Sequence, residues 1–307
     1  MTRSIVILGV FVADTTYRAT RLPQKGETLI GTGFALGPGG KGSNQAVAAA
    51  RAGATVHFIS RLGRDAFAEM ALATWAEAGV TPAVTRDETG FTGAACIFVE
   101  EATGENAIII CPGVAEMISA ADLEGQGDLI ADAGVFMTQL EQPLAAAQRG
   151  LELARAGGAV TILNPAPARA LPDNMLALCD YITPNETEAA ALTGMPVTSQ
   201  DEAAAAAQAL LDRGVGAAII TLGENGVLFH DGRAATHVPA FRAGPVRETT
   251  GAGDAFNGGF AAALAQGAAP LEAVRFGCAT AAISVTRAGA AAAMPQLAEI
   301  EDLLARG

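Results

Sequence analysis

Short runs of aliphatic residues alternate along the chain with longer stretches whose apolar positions recur with helical periodicity. Continuous apolar runs are typical of strands buried on both faces, and their alternation with helices indicates a parallel sheet covered by helices. We therefore predict an α/β fold built on one large, mostly parallel sheet. The predicted strands are residues 5–12, 55–60, 135–139, 159–163, 180–183 and 216–221, followed by a hairpin over 227–231 and 234–238.

The helical stretches follow these strands in turn, and one strongly apolar helix begins directly after a Gly-rich segment near residue 250. A chain of 307 residues fits one large α/β domain with an appendage, so we assign residues 1–307 to a single domain. The predicted helices are residues 45–51, 66–78, 143–156, 173–178, 186–193, 199–213, 252–267, 271–285 and 297–305.

Two segments, residues 15–36 and 90–110, lack the helical period and alternate in the manner of strands. The second contains a turn-forming stretch at 101–105, which indicates two strands joined by a turn. Together the segments predict a second, smaller β-sheet. Because such a sheet is too small to fold alone, we expect it to act as a lid over a ligand or to pack against another subunit.

Composition excludes several classes of partner. Half of the residues are hydrophobic and the formal net charge is −13, so no basic patch is available for nucleic acid or an anionic membrane. The four cysteines lie far apart and there are only three histidines, which supports neither a zinc site nor a disulfide framework. No uninterrupted apolar run is long enough to span a bilayer, and we expect a cytoplasmic protein.

The segment Gly251-Ala252-Gly253-Asp254 opens the predicted helix 252–267. Small residues let the backbone turn tightly at a helix N-terminus, where free N–H groups favour an anion. A carboxylate at such a site repels resting phosphate, but it can take a proton from a hydroxyl that attacks a phosphoryl group. A Gly-rich turn with an acid favoured by the helix dipole explains the segment alone equally well.

A second Gly-rich stretch, residues 37–44, opens the helix at 45–51 but lacks the spacing of a nucleotide P-loop. Its glycines suggest a backbone that approaches a ligand, and Asn44 could hydrogen-bond a hydroxyl there. The alternative is a surface loop whose Lys41 is only solvated. Asp14, after the first strand, is interpreted as an acid at the ligand-binding edge of the sheet or in an ordinary turn.

Polar residues also follow four successive predicted strands. Because the carboxyl ends of parallel strands meet at one edge of a sheet, their recurrence there indicates a binding crevice. The positions are Glu141, Asn164, the Asn185–Glu188 segment and the Thr221–Gly226 segment.

Four motifs in order along nearly the whole chain resemble those of the ribokinase-like (PfkB) carbohydrate kinases. They are residues 39–46 (GGKGSNQA), 164–167 (NPAP), 182–188 (ITPNETE) and 250–258 (TGAGDAFNG). The resemblance implies ATP-dependent transfer of the γ-phosphoryl group to a primary hydroxyl of a small sugar, with D-ribose giving ribose 5-phosphate as the first expectation. The alternatives are 2-deoxyribose, fructose or a nucleoside as acceptor, or a non-catalytic sugar or nucleotide sensor.

The resemblance also implies roles for individual residues. Asp254 matches the catalytic base, and Gly251, Ala252 and Gly253 match an anion hole over the transferred phosphoryl group. The implied sugar-binding residues are Asp14, Gly40, Lys41, Asn44 and Glu141. The implied nucleotide-binding residues are Asn185, Glu188, Thr221, Gly223 and Gly226, with Asn185 and Glu188 also positioning Mg²⁺ through water. In the family the lid closes on the sugar and often forms a homodimer contact.

This chain departs from the family pattern at two places. Ribose-specific members usually carry Asn two positions before the sugar-binding Asp, where this chain has Val12. Valine offers no hydrogen bond to a hydroxyl, which leads to the hypothesis that 2-deoxyribose or another furanose is used as well as ribose, or better.

The second departure concerns a K⁺ site that the resemblance places at Glu248, Thr250, Val285 and Gly289. The family usually has Asp where Glu248 stands and a Ser near Ala293. One altered acid and one lost hydroxyl predict that strong potassium activation is absent, although backbone carbonyls could still coordinate the ion.

Overall fold

The computed structural model describes residues 3–306, which form a large and a small β-sheet with flanking helices. The strands are β1 (Ile5–Leu8), β2 (Val12–Ala19), β3 (Gly33–Gly39), β4 (Val56–Leu62), β5 (Val80–Arg86), β6 (Thr92–Glu100), β7 (Asn106–Gly113), β8 (Val135–Thr138), β9 (Val160–Leu163), β10 (Tyr181–Ile182), β11 (Ala217–Thr221), β12 (Val227–His230) and β13 (Ala235–Val238). The helices are α1 (Lys41–Arg51), α2 (Ala66–Ala78), α3 (Ala120–Glu124), α4 (Gly127–Ala131), α5 (Leu144–Gly157), α6 (Asp173–Leu176), α7 (Glu186–Thr193), α8 (Gln200–Asp212), α9 (Ala252–Ala265), α10 (Pro270–Ser284) and α11 (Leu297–Arg306).

The large sheet has nine strands in the order β13-β12-β11-β10-β9-β8-β1-β4-β5. The pairs from β5 through β1 to β11 are parallel, and the β11–β12 and β12–β13 pairs are antiparallel. In register, Ile5 of β1 lies between Val56 and Val135 of its neighbours. This arrangement confirms the α/β fold with a large, mostly parallel sheet, and it gathers the carboxyl ends of seven strands at one edge.

The small sheet has four strands in the order β3-β2-β6-β7. Its β2–β6 pair is parallel and the two outer pairs are antiparallel. The register places Asp14 beside Ala95 and Gly37, so these three residues share one face, whereas Tyr17 and Phe34 share the other. The observed strands lie within 12–39 and 92–113, slightly beyond the bounds expected for the lid.

Two apolar clusters cover the two faces of the large sheet. One joins α1, α2, α9 and α10 to the sheet, with Trp75, Phe58 and Phe260 fully buried within it. The other includes α5 and α8 and surrounds Phe136. Glycine allows two helices of the first cluster to approach closely. A Cβ at Gly259 would lie 2.3 Å from the Thr280 hydroxyl, so α9 and α10 are in close contact there.

The first strand differs from its sequence-based prediction. It ends at Leu8, and Val12 begins β2, so the predicted strand over 5–12 is two strands in different sheets. The chain turns at Gly9, where an added Cβ would lie 2.7 Å from the Cα of Gly42. Asp14 is consequently in the small sheet, and the interpretation that it follows β1 at the edge of the large sheet is wrong.

Other boundaries shift less. Helix α1 begins at Lys41, four residues before the prediction, because the Gly-rich stretch supplies its first turn. Strand β5 was not predicted; it lies at the sheet edge and contains Pro82, which interrupts a ladder least at an edge. The five-residue helices α3 and α4 were also not predicted. Within residues 3–306, no helix combines the length and apolar character needed to cross a membrane.

Candidate active site

Contact between α9 and α1 brings the two Gly-rich motifs together. Gly258 lies one turn after Asp254, and a Cβ there would be 2.4 Å from the Ala48 Cβ and 2.7 Å from the Gln45 carbonyl oxygen. Only glycine therefore allows the two helices to approach so closely. The approach places the first turn of α9, with Asp254, directly against α1.

Two side-chain amides hold the Asp254 carboxylate. Asn44 Nδ2 donates to Oδ2 at 3.0 Å, and Gln45 Nε2 donates to Oδ1 at 3.0 Å. Burial raises the pKa of Asp254, while Lys41 and the two amide donors act in the opposite direction by favouring the charged form. The carboxylate is thus buried but hydrogen-bonded on both oxygens, as a fixed proton acceptor requires.

The turn before α9 combines a left-handed glycine with open space. Gly251 has φ of 78° and lies against Ala290, so a side chain there would be strained. Nothing lies within 4 Å of a Cβ placed on Gly253, which leaves room at the helix N-terminus beside Asp254. The Ala252 N–H donates to the Thr249 carbonyl at 3.1 Å, so this one of the three expected anion-hole residues already has a backbone partner.

The N-terminus of α1 carries the expected sugar-binding residues. The Lys41 N–H donates to Glu141 Oε2 at 2.8 Å, which ties the loop after β8 to α1. Gly40 has φ of 91° and lies against the Val10 carbonyl. The Asp14 carboxylate lies against Gly39, where an added Cβ would overlap it at 2.2 Å. The structure therefore brings Asp14, Glu141 and the 39–45 segment to one place.

Electrostatics link these carboxylates. Burial raises the pKa of Glu141 to about 7; Lys41 opposes the rise, while Asp254 and Asp14 add to it. Burial also raises the pKa of Asp14 to about 6. Burial raises the pKa of Glu188 as well, again with Lys41 opposing and Asp254 adding. Several carboxylates thus share the field of one lysine.

The expected nucleotide residues lie at the ends of β10 and β11. Asn185 and Glu188 form a reciprocal cap of α7: Asn185 Oδ1 accepts from the Glu188 N–H at 2.8 Å, and Glu188 Oε2 accepts from the Asn185 N–H at 2.9 Å. Asn185 also pairs with Thr221 in an isolated parallel bridge. Gly223 has open space around it, whereas Gly226 lies against the Val238 carbonyl and serves the hairpin turn.

The expected cation residues lie in a separate loop cluster. Glu248 Oε2 accepts from the Gly289 N–H at 2.9 Å. The Val285 carbonyl accepts from the Arg247 N–H at 2.8 Å and from the Glu248 N–H at 3.2 Å. The structure thus joins Glu248, Val285 and Gly289 through their own hydrogen bonds, and Thr250 links this cluster along the chain to Gly251.

A buried polar network lies beneath Asp254, and of its members only Asn164 was expected from the sequence to lie in the binding crevice. Gln45 Nε2 also reaches Asn164 Oδ1 at 3.1 Å, and Gln139 Nε2 donates to Gln45 Oε1 at 2.6 Å. Asn257 extends the network, since its Nδ2 donates to the Gly253 carbonyl at 2.8 Å. Gln45, Asn164 and Asn257 lie inside the four motifs, and Gln139 follows a strand. Their places in the sequence were therefore the only indication of a functional role.

The residues present fit a magnesium ion held partly by substrate. Within residues 3–306, no group of three or more His, Cys, Asp or Glu side chains could hold a metal alone. Mg²⁺ keeps several waters and commonly takes only one or two protein carboxylates together with phosphate oxygens. Glu188 and Asn185, at the N-terminus of α7 and within the electrostatic range of Asp254, suit such a partial shell.

The fold and this site define a phosphotransferase of the carbohydrate kinase class. Residues 2–297 match the pfkB family of carbohydrate kinases. The chain belongs to this family, whose members transfer a phosphoryl group to a hydroxyl.

Individual relatives cover almost the full chain. It is 38% identical over 305 residues to a ribokinase of Haemophilus influenzae, with 99% of each chain covered. It is 36% identical over 302 residues to a deoxyribokinase of Salmonella typhimurium, with 98% of each covered. The structure of Arabidopsis thaliana ribokinase complexed with ribose and ATP superposes with a TM-score of 0.93 at 30% identity, covering 99% of both chains.

Proposed function

We propose that this chain catalyses ATP-dependent phosphorylation of a primary hydroxyl of a small sugar, converting D-ribose to ribose 5-phosphate. The observation that carries the proposal is the buried Asp254 carboxylate, fixed by two amide donors beside the open surface of Gly253. Relatives named ribokinase, and a neighbour complexed with ribose and ATP, support ribose and ATP as the substrates.

In the proposed reaction Asp254 accepts the proton of the attacking hydroxyl as the hydroxyl oxygen bonds to the γ-phosphorus. The bond between that phosphorus and the leaving ADP oxygen breaks, and the electron pair stays on ADP. The backbone N–H groups of Gly251 and Gly253 face the charge on the transferred group, and such donors contribute about 3 kcal/mol each in comparable sites. The Thr221–Gly226 loop lies along the nucleotide.

Magnesium, held through Glu188 and Asn185, would neutralise charge on the phosphates. Lys41 adds positive charge that acts on both Asp254 and Glu141. The acidic chain offers few other cations here, so backbone donors and this lysine carry most of the anion binding.

The sugar side is proposed to consist of Asp14, Gly40, Lys41, Asn44 and Glu141. Asn44 Oδ1 is buried and finds no hydrogen-bond donor among the described residues. A buried acceptor without a donor costs about 1–3 kcal/mol, and a sugar hydroxyl would supply the missing donor. The exposed residues Ile108 and Ile110 share a face of the small sheet with Asp14 and would cover the sugar when this sheet acts as a lid.

A second candidate substrate is 2-deoxyribose. Val12 is buried and lies two residues before Asp14 on the same face of β2, so it presents methyl groups where an amide would bind a hydroxyl. The similarity to a deoxyribokinase is in line with this substitution.

We also propose that two copies associate through the outer face of the small sheet, defined by Tyr17, Phe34, Leu36 and Ile109. The side chains of Phe34 and Ile109 are 62% and 69% exposed, and the Tyr17 and Phe34 rings lie 5.2 Å apart. An exposed apolar face of this kind marks an interface. A homodimer would bury it and hold the lid in place.

A coupled assay of ADP release with a panel of sugars tests the function directly. We expect turnover with ribose and with 2-deoxyribose, weaker turnover with fructose and none with nucleosides. Tight binding of sugar and ATP without ADP release would instead identify a non-catalytic sensor. The ratio of kcat/KM for ribose to that for 2-deoxyribose measures the role of Val12: we expect Val12→Asn to raise the ratio, and a large ribose preference in the unmodified protein contradicts the second candidate.

A further inference from the structure

The second amide on Asp254 comes from a side chain that is itself held at both ends. Gln45 is fully buried; its Nε2 donates to Asp254 Oδ1 and Asn164 Oδ1, and its Oε1 accepts from Gln139. Asn164 in turn donates to the Thr183 carbonyl at 3.0 Å. Both polar atoms of the Gln45 amide therefore have partners, which come from the ends of β8 and β9 and from the first turn of α9.

Gln139 is also held in place within this hydrogen-bond network. Gln142 Nε2 donates to the backbone carbonyl of Gln139 at 2.6 Å and to Thr138 Oγ1 at 2.7 Å, and these bonds fix the turn after β8. The same turn carries Glu141. Gln139 Oε1 and Gln142 Oε1 are buried without a donor among the described residues. The paired groups, from Gln142 through Gln139 to Gln45, hold the Gln45 side chain in one arrangement.

We propose that Gln45 is a positioning residue for the phosphoryl transfer, and that Gln139 and Asn164 hold Gln45 so that it fixes the orientation of the Asp254 carboxylate toward the accepting hydroxyl. This inference rests on the proposed role of Asp254 as proton acceptor. Asn44 alone cannot set the carboxylate plane, because one hydrogen bond leaves rotation about the side chain. A second donor on the other oxygen removes that freedom.

The physical effect is geometric and electrostatic. A misplacement of about 1 Å at a reacting group can lower a rate about 10²-fold. A hydrogen bond to a carboxylate also favours its charged form, so losing the Gln45 donor raises the pKa of Asp254. The other charged groups that face Asp254 are Lys41 from α1, Glu141 after β8 and Glu188 from α7. They remain in a Gln45 variant.

The main test is Gln45→Met, which keeps the side-chain length and removes both polar atoms of the amide. We expect kcat to fall about 10²-fold while the KM values for sugar and ATP change less than about threefold. We also expect the acidic limb of the kcat–pH profile to move up by about one pH unit. An unchanged kcat and an unchanged acidic limb overturn the inference.

Two further variants separate positioning from folding. Ser43→Ala removes another buried hydrogen bond of α1. Ser43 Oγ accepts this bond from Trp75 Nε1 at a distance of 2.9 Å, and it does not involve Asp254. It should lower Tm without moving the acidic limb. Gln139→Met keeps the Gln45 amide and removes only its support, so kcat should fall about tenfold, and the acidic limb should move in the same direction but by less than in Gln45→Met. If Gln45→Met does not fold, an unaltered profile in Gln139→Met still rejects the inference.

A measurement that needs no turnover separates this inference from the proposed function. In protein labelled with ¹³C at Asp carboxyl carbons, the Asp254 resonance is assigned by its absence in Asp254→Asn. Its titration midpoint should rise in Gln45→Met and stay in place in Ser43→Ala. Absence of phosphoryl transfer by the unmodified protein defeats the proposed function, whereas an unmoved midpoint defeats the positioning role.

Discussion

The small sheet and the carboxyl edge of the large sheet depart in opposite ways from the usual pattern of buried apolar and exposed polar side chains. At the edge, polar side chains such as Asp254, Gln45 and Gln139 are buried. On the small sheet, apolar side chains such as Phe34 and Ile109 are exposed. At the edge the Asp254 and Gln45 side chains are hydrogen-bonded within the chain, and the buried oxygens Asn44 Oδ1, Gln139 Oε1 and Gln142 Oε1 have no donor among the described residues. The small sheet instead leaves apolar side chains exposed.

The difference shows how the two regions acquire function. Burying carboxylates costs free energy, and the edge retains them because hydrogen bonds and Lys41 compensate in part. Exposing aromatic and aliphatic side chains also costs free energy, and the small sheet would recover it by closing over a sugar or meeting a second copy. We therefore propose that the edge is preorganised for the reaction, whereas a sugar or a second copy completes the small sheet on binding.

The largest expected effect is at the edge. Asp254→Asn removes the proton acceptor and should lower kcat about 10²–10⁴-fold, because a positioned base contributes a factor of this size. Nucleotide binding should change little, since the turn at 251–253 and the Asn185–Glu188 cap are untouched. Single-turnover kinetics and ATP titration calorimetry measure the two quantities. Unchanged turnover removes Asp254 from the mechanism.

The sequence predicts the elements of this edge better than its contacts. Helices α2 and α7 have their predicted bounds, and the glycines and Asp254 were identified by their order and chemistry. The partners of Gln45 could not be predicted, because Gln139 and Asn164 are 94 and 119 residues away along the chain. Such pairs depend on strand order, which periodicity does not determine.

The wrong prediction for the place of Asp14 has a similar origin. The apolar run over 5–12 is continuous, and nothing in its pattern shows that Gly9 turns the chain from one sheet into the other. Gly9 is in close contact with Gly42 at this point, and such a contact becomes visible only in three dimensions.

The next largest effect concerns the small sheet. Phe34→Asp places a charge on the proposed dimer contact and should weaken association by at least about 2 kcal/mol, as expected for a buried aromatic anchor. Light scattering after size exclusion measures the mass, and we expect a shift from dimer to monomer with an increased KM for sugar. Leu271→Asp, at an exposed apolar position on α10, is the matched control and should leave the mass unchanged. A dimer that survives Phe34→Asp assigns the interface elsewhere.

A smaller effect tests the cost of the buried carboxylates. Because the pKa of Glu141 is raised from 4.5 to about 7, the native state holds a proton that the unfolded state has lost within this pH window. The protonated Glu141 therefore contributes fully to stability below pH 4.5, and this contribution is lost as the pH rises through about 7.

Glu141→Gln removes this charge and keeps an oxygen that can accept from the Lys41 N–H. Urea unfolding should show the variant to be more stable by about 2 kcal/mol near pH 8, with the difference shrinking toward pH 5. The KM for sugar should rise, because the variant loses a proposed sugar-binding carboxylate. A constant stability difference across this pH range contradicts the explanation by burial.

The smallest effect concerns potassium. The Val285 carbonyl already accepts two N–H groups, and the Glu248 carboxylate accepts from Gly289, so the expected cation residues are occupied by one another. A cation would have to displace these bonds without the usual Asp and Ser. We therefore expect activity in potassium to exceed activity in sodium by less than about threefold at matched ionic strength, a difference below about 1 kcal/mol in the activation barrier. A tenfold preference for potassium would show that the loop opens to admit the ion.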